Sequence, residues 1–136
     1  MRVLVDTNVV IDVLSKRADF YEDGQDFFTY ALDNEIELIV SSLSFANTHY
    51  ILSVQLKLPK VRTILLEFKS VVKVVSFDEN ILDLSLGNKF KDFEDGIQYY
   101  TAIENSCEAI ISRNRKDFKP GVLPILTPRE FLHLNQ

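Results

Sequence analysis

Residues 1–12 read MRVLVDTNVVID and hold the strongest indication of the fold. The apolar run at 2–5 predicts a short buried strand, and the apolar spacing that follows predicts a helix at 9–15. Asp6 stands between the two elements, directly after the strand. In open α/β sheets, the carboxyl ends of the strands border the crevice where ligands bind. This stretch therefore predicts an α/β protein with a carboxylate at that crevice.

Two roles are open for Asp6 at this point. Its side chain can cap the helix that follows, because an Asp at the N-cap accepts hydrogen bonds from backbone N–H groups that lack a partner within the helix. Alternatively, Asp6 can bind a metal ion, which is a common way to offset the free energy of burying a carboxylate. The opening stretch alone is consistent with both roles.

Length and composition fit a single domain that spans residues 1–136. No segment approaches the ~20 uninterrupted apolar residues of a membrane span. Asp6 and Asp12 interrupt the first apolar stretch, which is atypical of a signal peptide. A single cysteine, Cys107, excludes an internal disulfide framework, and with only two histidines it argues against a structural zinc cluster. We therefore expect a cytoplasmic protein that is not associated with a membrane.

The net charge of −5 argues against broad, nonspecific binding to nucleic acid, which requires a basic surface. It is still compatible with a nuclease, because the carboxylates of a metal site add to the acidic count. The four glycines form no phosphate-binding loop. The acidic residues are therefore the main candidates for catalytic or metal-binding roles.

Short apolar runs alternate with longer amphipathic ones along the chain, which is typical of a parallel sheet covered by helices. Strands are predicted at 2–5, 37–40, 71–75, 109–112 and 124–126. Helices are predicted at 9–15, 21–33, 43–56, 59–69, 79–86, 93–105 and 128–134.

Carboxylates and amides cluster at the ends of three predicted elements. In chain order these residues are Asp6, Asp92, Glu94, Asp95, Asn114 and Asp117. If the first and fourth strands are neighbours, all of them meet at one edge of the sheet. Oxygen ligands suit a hard cation such as Mg²⁺ or Mn²⁺. Such a cation lowers the pKa of a bound water and promotes its attack on a phosphodiester.

Four segments together resemble the PIN domain family, of the kind found in VapC-like toxins of bacterial toxin–antitoxin pairs. They are VDTNVVIDVL, SSLSFANTHYIL, DFEDGIQYYTAIENSCEAIISRN and RKDF, in the family's order and at its intervals. The resemblance implies a three-layer α/β/α domain with a central parallel sheet in the order 3-2-1-4-5. It also implies a ribonuclease that uses Mg²⁺ or Mn²⁺. The implied partners are an RNA substrate, a cognate antitoxin and a second copy of the chain in a homodimer.

The resemblance also assigns the acidic site, position by position. Asp6 matches the family's Asp after the first strand, and Asp95 matches the Asp that opens the helix before the fourth strand. Asp117 matches the acid after the fourth strand, so these three residues are the expected metal ligands and catalytic residues. Asn47 stands where the family usually has a Glu, and we expect its amide to assist catalysis.

Other polar residues are expected to support this site. The supporting set is Asn8, Asp92, Ser112 and Asn114. Within it, Asn8 would orient Asp6. The expected RNA phosphate contacts are Arg113, Arg115, Lys116, Lys16 and Arg17, unless they are simply solvated loop residues. Asp12 lies beyond Asp6 on the first helix and is expected at the exposed surface.

Two alternatives to the ribonuclease remain. Because Asn47 carries no charge, the chain can instead be a catalytically weak PIN-like module that binds RNA or protein. The second alternative is a receiver-like signalling domain with a phosphorylated Asp. It requires an acceptor Asp after the third strand, where this chain has Ser76 and Phe77, so it fits the sequence less well.

Overall fold

The computed structural model describes residues 1–114, 118 and 121–135. Its strands are β1 (Arg2–Val5), β2 (Glu37–Ser41), β3 (Lys73–Val75), β4 (Ala109–Ile111) and β5 (Ile125–Leu126). Its helices are α1 (Thr7–Leu14), α2 (Tyr21–Asp33), α3 (Ser42–Tyr50), α4 (Val61–Lys69), α5 (Glu79–Ser85), α6 (Phe93–Glu104) and α7 (Pro128–Asn135). The strands pair in parallel in the order β3-β2-β1-β4-β5, which confirms the expected sheet.

The residues of β1 alternate between two hydrophobic cores, because successive side chains of a strand point to opposite faces of the sheet. Val3 and Val5 join the core beneath α1, α2 and α7. Leu4 joins the core on the other face, together with Tyr99 and Ala102 of α6. Helices therefore cover both faces of the sheet, and the predicted three-layer α/β/α architecture is confirmed.

Two helix starts differ by two residues from the predicted ones. Helix α1 begins at Thr7, two residues before the predicted position, because Asp6 caps it through a hydrogen bond from the Thr7 N–H to Oδ1 of 2.8 Å. Helix α4 begins at Val61 because Lys60 adopts a left-handed conformation with φ of 57°, which a helix cannot continue. Pro59 therefore lies outside the helix that it was expected to start.

The long helix predicted at 43–56 has two parts in the structure. Helix α3 ends at Tyr50, and the chain continues as a π-helical segment, Ile51–Gln55. Such segments are rare and occur frequently at functional sites. The residues Ile51 and Gln55 of this segment line cavities near the start of α6.

Among the described residues, no helix combines the length and the apolar character that crossing a bilayer requires.

Candidate functional site

Asp6 and Ser112 lie side by side although they are far apart in the chain. Strands β1 and β4 pair in parallel with Val5 opposite Ile111, so the residues that follow these two positions are neighbours. The Asp6 N–H donates to the Ile111 carbonyl at 2.9 Å, and this bond extends the pairing by one step. On one side β1 pairs with β2, and on the other side with β4. This is the switch point at which open sheets form ligand crevices.

The Asp6 carboxylate is buried, with 8% of the residue exposed, and neutral donors orient it. Its Oδ1 accepts from the Thr7 N–H, and its Oδ2 accepts from the Ser112 hydroxyl, both at 2.8 Å. The Ser112 hydroxyl oxygen in turn accepts from Asn8 Nδ2 at 3.3 Å and from the Asn114 N–H at 3.1 Å. Asn8 thus contacts Ser112, which contacts Asp6. Both predicted roles of Asp6 are compatible, since the residue caps α1 and also lines a cavity.

A cavity of about 220 Å³ brings Asp6 together with the start of α6. Its described lining residues are Asp6, Thr7, Asn8, Ile11, Ile51, Glu94, Asp95, Gln98 and Asn114. Asp92 does not line it. Instead, Asp92 Oδ1 accepts from the Asp95 N–H at 3.1 Å, so Asp92 caps the helix that carries Asp95.

Gln98 is a site residue that the sequence analysis missed. It is 5% exposed, and its Nε2 donates to Ser44 Oγ at 2.7 Å and to Thr7 Oγ1 at 3.0 Å. These bonds join the starts of α1 and α3 to α6. Its Oε1 is buried and has no hydrogen-bond partner among the described residues. The available signal was its spacing, because Gln98 stands three residues after Asp95 and so shares its helix face.

Asn47 lies at the neighbouring cavity rather than at the one that contains Asp6. Its Nδ2 donates to Glu94 Oε1 in a short hydrogen bond. The neighbouring cavity, of about 270 Å³, shares Thr7, Ile51 and Glu94 with the first. Glu94 therefore connects Asn47 to the cavity of Asp6 and Asp95.

The oxygen donors around the Asp6 cavity fit a hard divalent cation in kind, because carboxylate and amide oxygens are its preferred protein ligands. Among the described residues, no three His, Cys, Asp or Glu side chains stand close enough to form a complete metal cluster. Asp117, Arg115 and Lys116 lie outside the described residues. Gln98 Oε1 is a buried acceptor, and a bound ligand or a water on that ligand would supply the hydrogen bond that it lacks among the described residues.

A third cavity, of about 260 Å³, is lined by the two residues of an ion pair that the sequence did not predict. Asp12 is 2% exposed, so the expectation that it lies at the surface is wrong. Arg113 Nε donates to Asp12 Oδ2 at 2.5 Å, and the guanidinium lies 4.1 Å from the centroid of the Phe20 ring. Arg17 Nη1 lies 4.0 Å from Asp12 Oδ1. Lys16 is exposed.

These features define an α/β/α domain with an acidic cavity at the switch point of a parallel sheet. The family model described as PIN domain matches residues 2–116, so the chain belongs to the PIN domain family. The resemblance to that family is thereby confirmed.

A relative with 28% identity is Ribonuclease VapC1 of Aquifex aeolicus (strain VF5). The match extends over 135 residues, which are 96% of this chain and 92% of the relative.

Solved structures of similar fold come from three bacteria. A chain of VapBC2 from Rickettsia felis, bound to a DNA fragment from its promoter, is 19% identical with a TM-score of 0.66, over 93% of this chain and 98% of its own. A chain of a toxin–antitoxin complex from Klebsiella pneumoniae is 23% identical with a TM-score of 0.69, over 93% and 97%. VapC20 of Mycobacterium tuberculosis, described as a sarcin-ricin loop cleaving toxin, is 9% identical with a TM-score of 0.72, over 89% and 96%. At these identities the likeness shows the fold.

Proposed function

We propose that this PIN-domain protein is an endoribonuclease that depends on Mg²⁺ or Mn²⁺ and acts in the cytoplasm as the toxin of a toxin–antitoxin pair. The observation that carries the proposal is the cavity at the carboxyl end of β1, which Asp6 and Asp95 both line. Membership of the PIN domain family supports it. So does the relative named Ribonuclease VapC1, which matches nearly the whole chain.

In the proposed mechanism, Asp6 and Asp95 would hold the cation, with Asp117 as the third carboxylate. When bound, a divalent cation polarises a phosphoryl oxygen and lowers the pKa of a coordinated water. The chain's own contribution is orientation. Ser112 and the Thr7 N–H hold both carboxylate oxygens of Asp6, so that its geometry is set before any ligand binds.

The basic residues that we propose as RNA contacts are Lys16, Arg17, Arg115 and Lys116. Phosphate contacts of this type position a nucleic acid without specifying its sequence. Arg113 was also expected among these RNA contacts. In the structure its guanidinium is paired with Asp12 and stacked on Phe20. We propose that this contact holds the chain segment after β4 against α1.

The proposed partners are a cognate antitoxin and a second copy of the chain. The Klebsiella pneumoniae structure of similar fold is a toxin–antitoxin complex. Apolar side chains exposed on α3, on the π-helical segment, at the residue that follows this segment and on α4 are compatible with a protein partner. They are Tyr50, Val54, Leu56 and Leu66.

RNA cleavage by the purified full chain tests the enzymatic proposal. We expect cleavage with Mg²⁺ or Mn²⁺, loss of cleavage with EDTA, and loss in Asp6→Asn and in Asp95→Asn. The matched control is Asp78→Asn, since Asp78 also caps a helix and does not line the cavity. Cleavage that survives EDTA or Asp6→Asn contradicts the proposal. RNA binding without cleavage in the natural chain would favour the binding module that Asn47 left open.

A further inference from the structure

Helix α1 contacts the segment after β4 at two positions that lie one helical turn apart. Asn8 and Asp12 stand four residues apart on α1, so their side chains share one face of the helix. Asn8 Oδ1 accepts from the Arg113 N–H at 3.4 Å, and Asn8 Nδ2 donates to the Ser112 hydroxyl at 3.3 Å. Asp12 accepts from the Arg113 side chain, at Oδ2 from Nε and at Oδ1 from Nη2. One face of α1 therefore holds both the backbone and the side chain of Arg113.

The Arg113 guanidinium is engaged on its edge and on its face. Its edge donates two hydrogen bonds to the buried Asp12 carboxylate, which is the two-pronged geometry that a planar guanidinium favours. Its face stacks on the Phe20 ring, 4.1 Å from the ring centroid. Because both contacts restrict the same group, this side chain is a fixed link to α1 and not a free cation at the surface.

The residue after Arg113 belongs to the cavity of Asp6. Asn114 lines that cavity, and its N–H donates to the Ser112 hydroxyl oxygen at 3.1 Å. The same hydroxyl donates to Asp6 Oδ2 at 2.8 Å. Arg113 thus stands between two residues of the Asp6 site, and its side chain fixes the direction in which the chain continues to Asn114.

The ion pair itself faces another cavity. Asp12 and Arg113 line the third cavity, and neither is among the described residues that line the cavity of Asp6. Any effect of Asp12 on the Asp6 site is therefore transmitted through Arg113 and the backbone that follows it.

We propose that Asp12 is a positioning residue for RNA cleavage, because through Arg113 it holds Asn114 at the cavity of Asp6. Arg113 is the link in this role and is not an RNA phosphate contact. The inference rests on the proposed ribonuclease function and extends it, since it gives a carboxylate outside the cavity an effect on the cleavage step.

Single-turnover cleavage of a labelled pool of random-sequence RNA by the full chain, with Mg²⁺, tests the inference. Asp12→Asn keeps the size of the side chain and removes the charge that holds the guanidinium. We expect the maximal rate to fall about tenfold or more, because small displacements in a site lower its rate strongly. The protein concentration that gives half of this rate should not change. Equal maximal rates for Asp12→Asn and the natural chain would overturn the proposal.

The matched control is Asp23→Asn. Asp23 also lines the third cavity and also pairs with an arginine, Arg129, which belongs to α7 and not to the segment after β4. This variant should cleave the RNA pool like the natural chain. A loss equal to that of Asp12→Asn would show that the third cavity in general, and not the link to Arg113, affects the rate, and would also overturn the proposal.

Arg113→Lys separates positioning from phosphate contact. Lys keeps the charge that a phosphate contact needs and loses the planar fork that matches a carboxylate. We expect a lower cleavage rate for this variant, and a rate equal to that of the natural chain would contradict the positioning role. RNA binding in EDTA, measured at several salt concentrations, should be the same for Asp12→Asn and the natural chain. Tighter binding with a steeper salt dependence in Asp12→Asn would show that Asp12 only withholds Arg113 from RNA.

Amide hydrogen exchange measured by NMR tests the positioning without RNA. The N–H groups of Arg113 and Asn114 bond to side chains, and they should exchange about tenfold faster in Asp12→Asn. The Ser112 N–H bonds to the Leu126 carbonyl at 2.9 Å and should exchange as in the natural chain. Unchanged exchange of all three groups, or equal acceleration of all three, would overturn the inference, since the second result indicates a general loss of stability.

The outcomes distinguish this inference from the proposed function. If the natural chain and Asp12→Asn cleave RNA at the same rate, the inference fails and the proposed function survives. If the natural chain cleaves no RNA, the proposed function fails and the role of Asp12 in cleavage fails with it.

Discussion

Asp6 and Asp12 are both buried carboxylates, one at the start of α1 and one near its end, yet their surroundings differ. Asp12 accepts from the guanidinium of Arg113, a charged donor from the segment after β4. Asp6 accepts from a backbone N–H and from the hydroxyl of Ser112, which are neutral donors. The Arg113 guanidinium offsets the charge of Asp12 within the fold, whereas the Thr7 N–H and the Ser112 hydroxyl fix the orientation of the Asp6 carboxylate. Burial alone therefore does not distinguish the two carboxylates, whereas the donors described for each of them do.

The largest expected effect is that of Asp6→Asn on catalysis. Asn is still a good N-cap, so we expect the free energy of unfolding to change by less than about 1 kcal/mol. Cleavage should fall at least ~100-fold, which corresponds to a loss of about 3 kcal/mol of transition-state stabilisation. Urea unfolding and single-turnover cleavage measure the two quantities. A large loss of stability with retained cleavage would reverse the roles assigned to Asp6 and Asp12.

Arg113→Ala should lower the free energy of unfolding substantially, in contrast to Asp6→Asn. It leaves Asp12 buried without its guanidinium, and we expect a loss of about 3 kcal/mol in the free energy of unfolding. This is at the low end for a buried pair because the Arg113 side chain is 25% exposed. Arg17→Ala is the control. The Arg17 side chain is 58% exposed and lies 4.0 Å from Asp12, so its removal should cost less than about 0.5 kcal/mol. Equal losses in the two variants would show that the Arg113 pair is not structural.

Gln98→Leu tests the network of neutral hydrogen bonds by which Gln98 joins α6 to the starts of α1 and α3, beside Asp6. The change removes two hydrogen bonds, to Thr7 and to Ser44, and also the buried Oε1 that has no described donor. We therefore expect a net loss of only about 1 kcal/mol in urea unfolding. Gln25→Leu, on the exposed surface of α2, should leave stability nearly unchanged. No loss in Gln98→Leu would show that the network does not hold α6 against α1 and α3.

Cys107 shows what burial does to an ionisable group in the apolar core. Burial raises the pKa of its thiol from 9.0 to about 11. Between these pH values the folded protein keeps a proton that the unfolded chain loses, so this group's contribution to stability decreases as the pH rises.

The difference in unfolding free energy between the natural chain and Cys107→Ala measures this contribution. It should be constant below pH 9 and decrease between pH 9 and pH 11. A difference that does not change with pH would contradict the raised pKa. The effect is the smallest of the set because it is absent at neutral pH.

Much of the fold was predictable from local patterns. The apolar runs at 2–5, 37–40 and 109–112 become β1, β2 and β4 to within one residue, because a strand buried on both faces has a continuous apolar sequence. The strand order came from the resemblance to PIN domains, since local periodicity does not encode which strands pair. Boundaries were less predictable where one residue controls them, as Lys60 does with its left-handed conformation before α4.

The position of the acidic cavity was predictable to the same extent. Residue types and spacing indicated Asp6 and the acidic start of α6, because Asp6 directly follows a strand and Asp95 opens a helix. Their meeting at one cavity depends on β1 and β4 being neighbours.

The contacts that distinguish the buried acids arise only when distant segments fold together. Arg113 meets Asp12 across 101 residues, Ser112 meets Asp6 across 106, and Glu94 meets Asn47 across 47. Local sequence controls backbone conformation and which face is apolar, because these depend on near neighbours in the chain. Which donors meet each buried acid depends on the strand order and on the helices that it brings together.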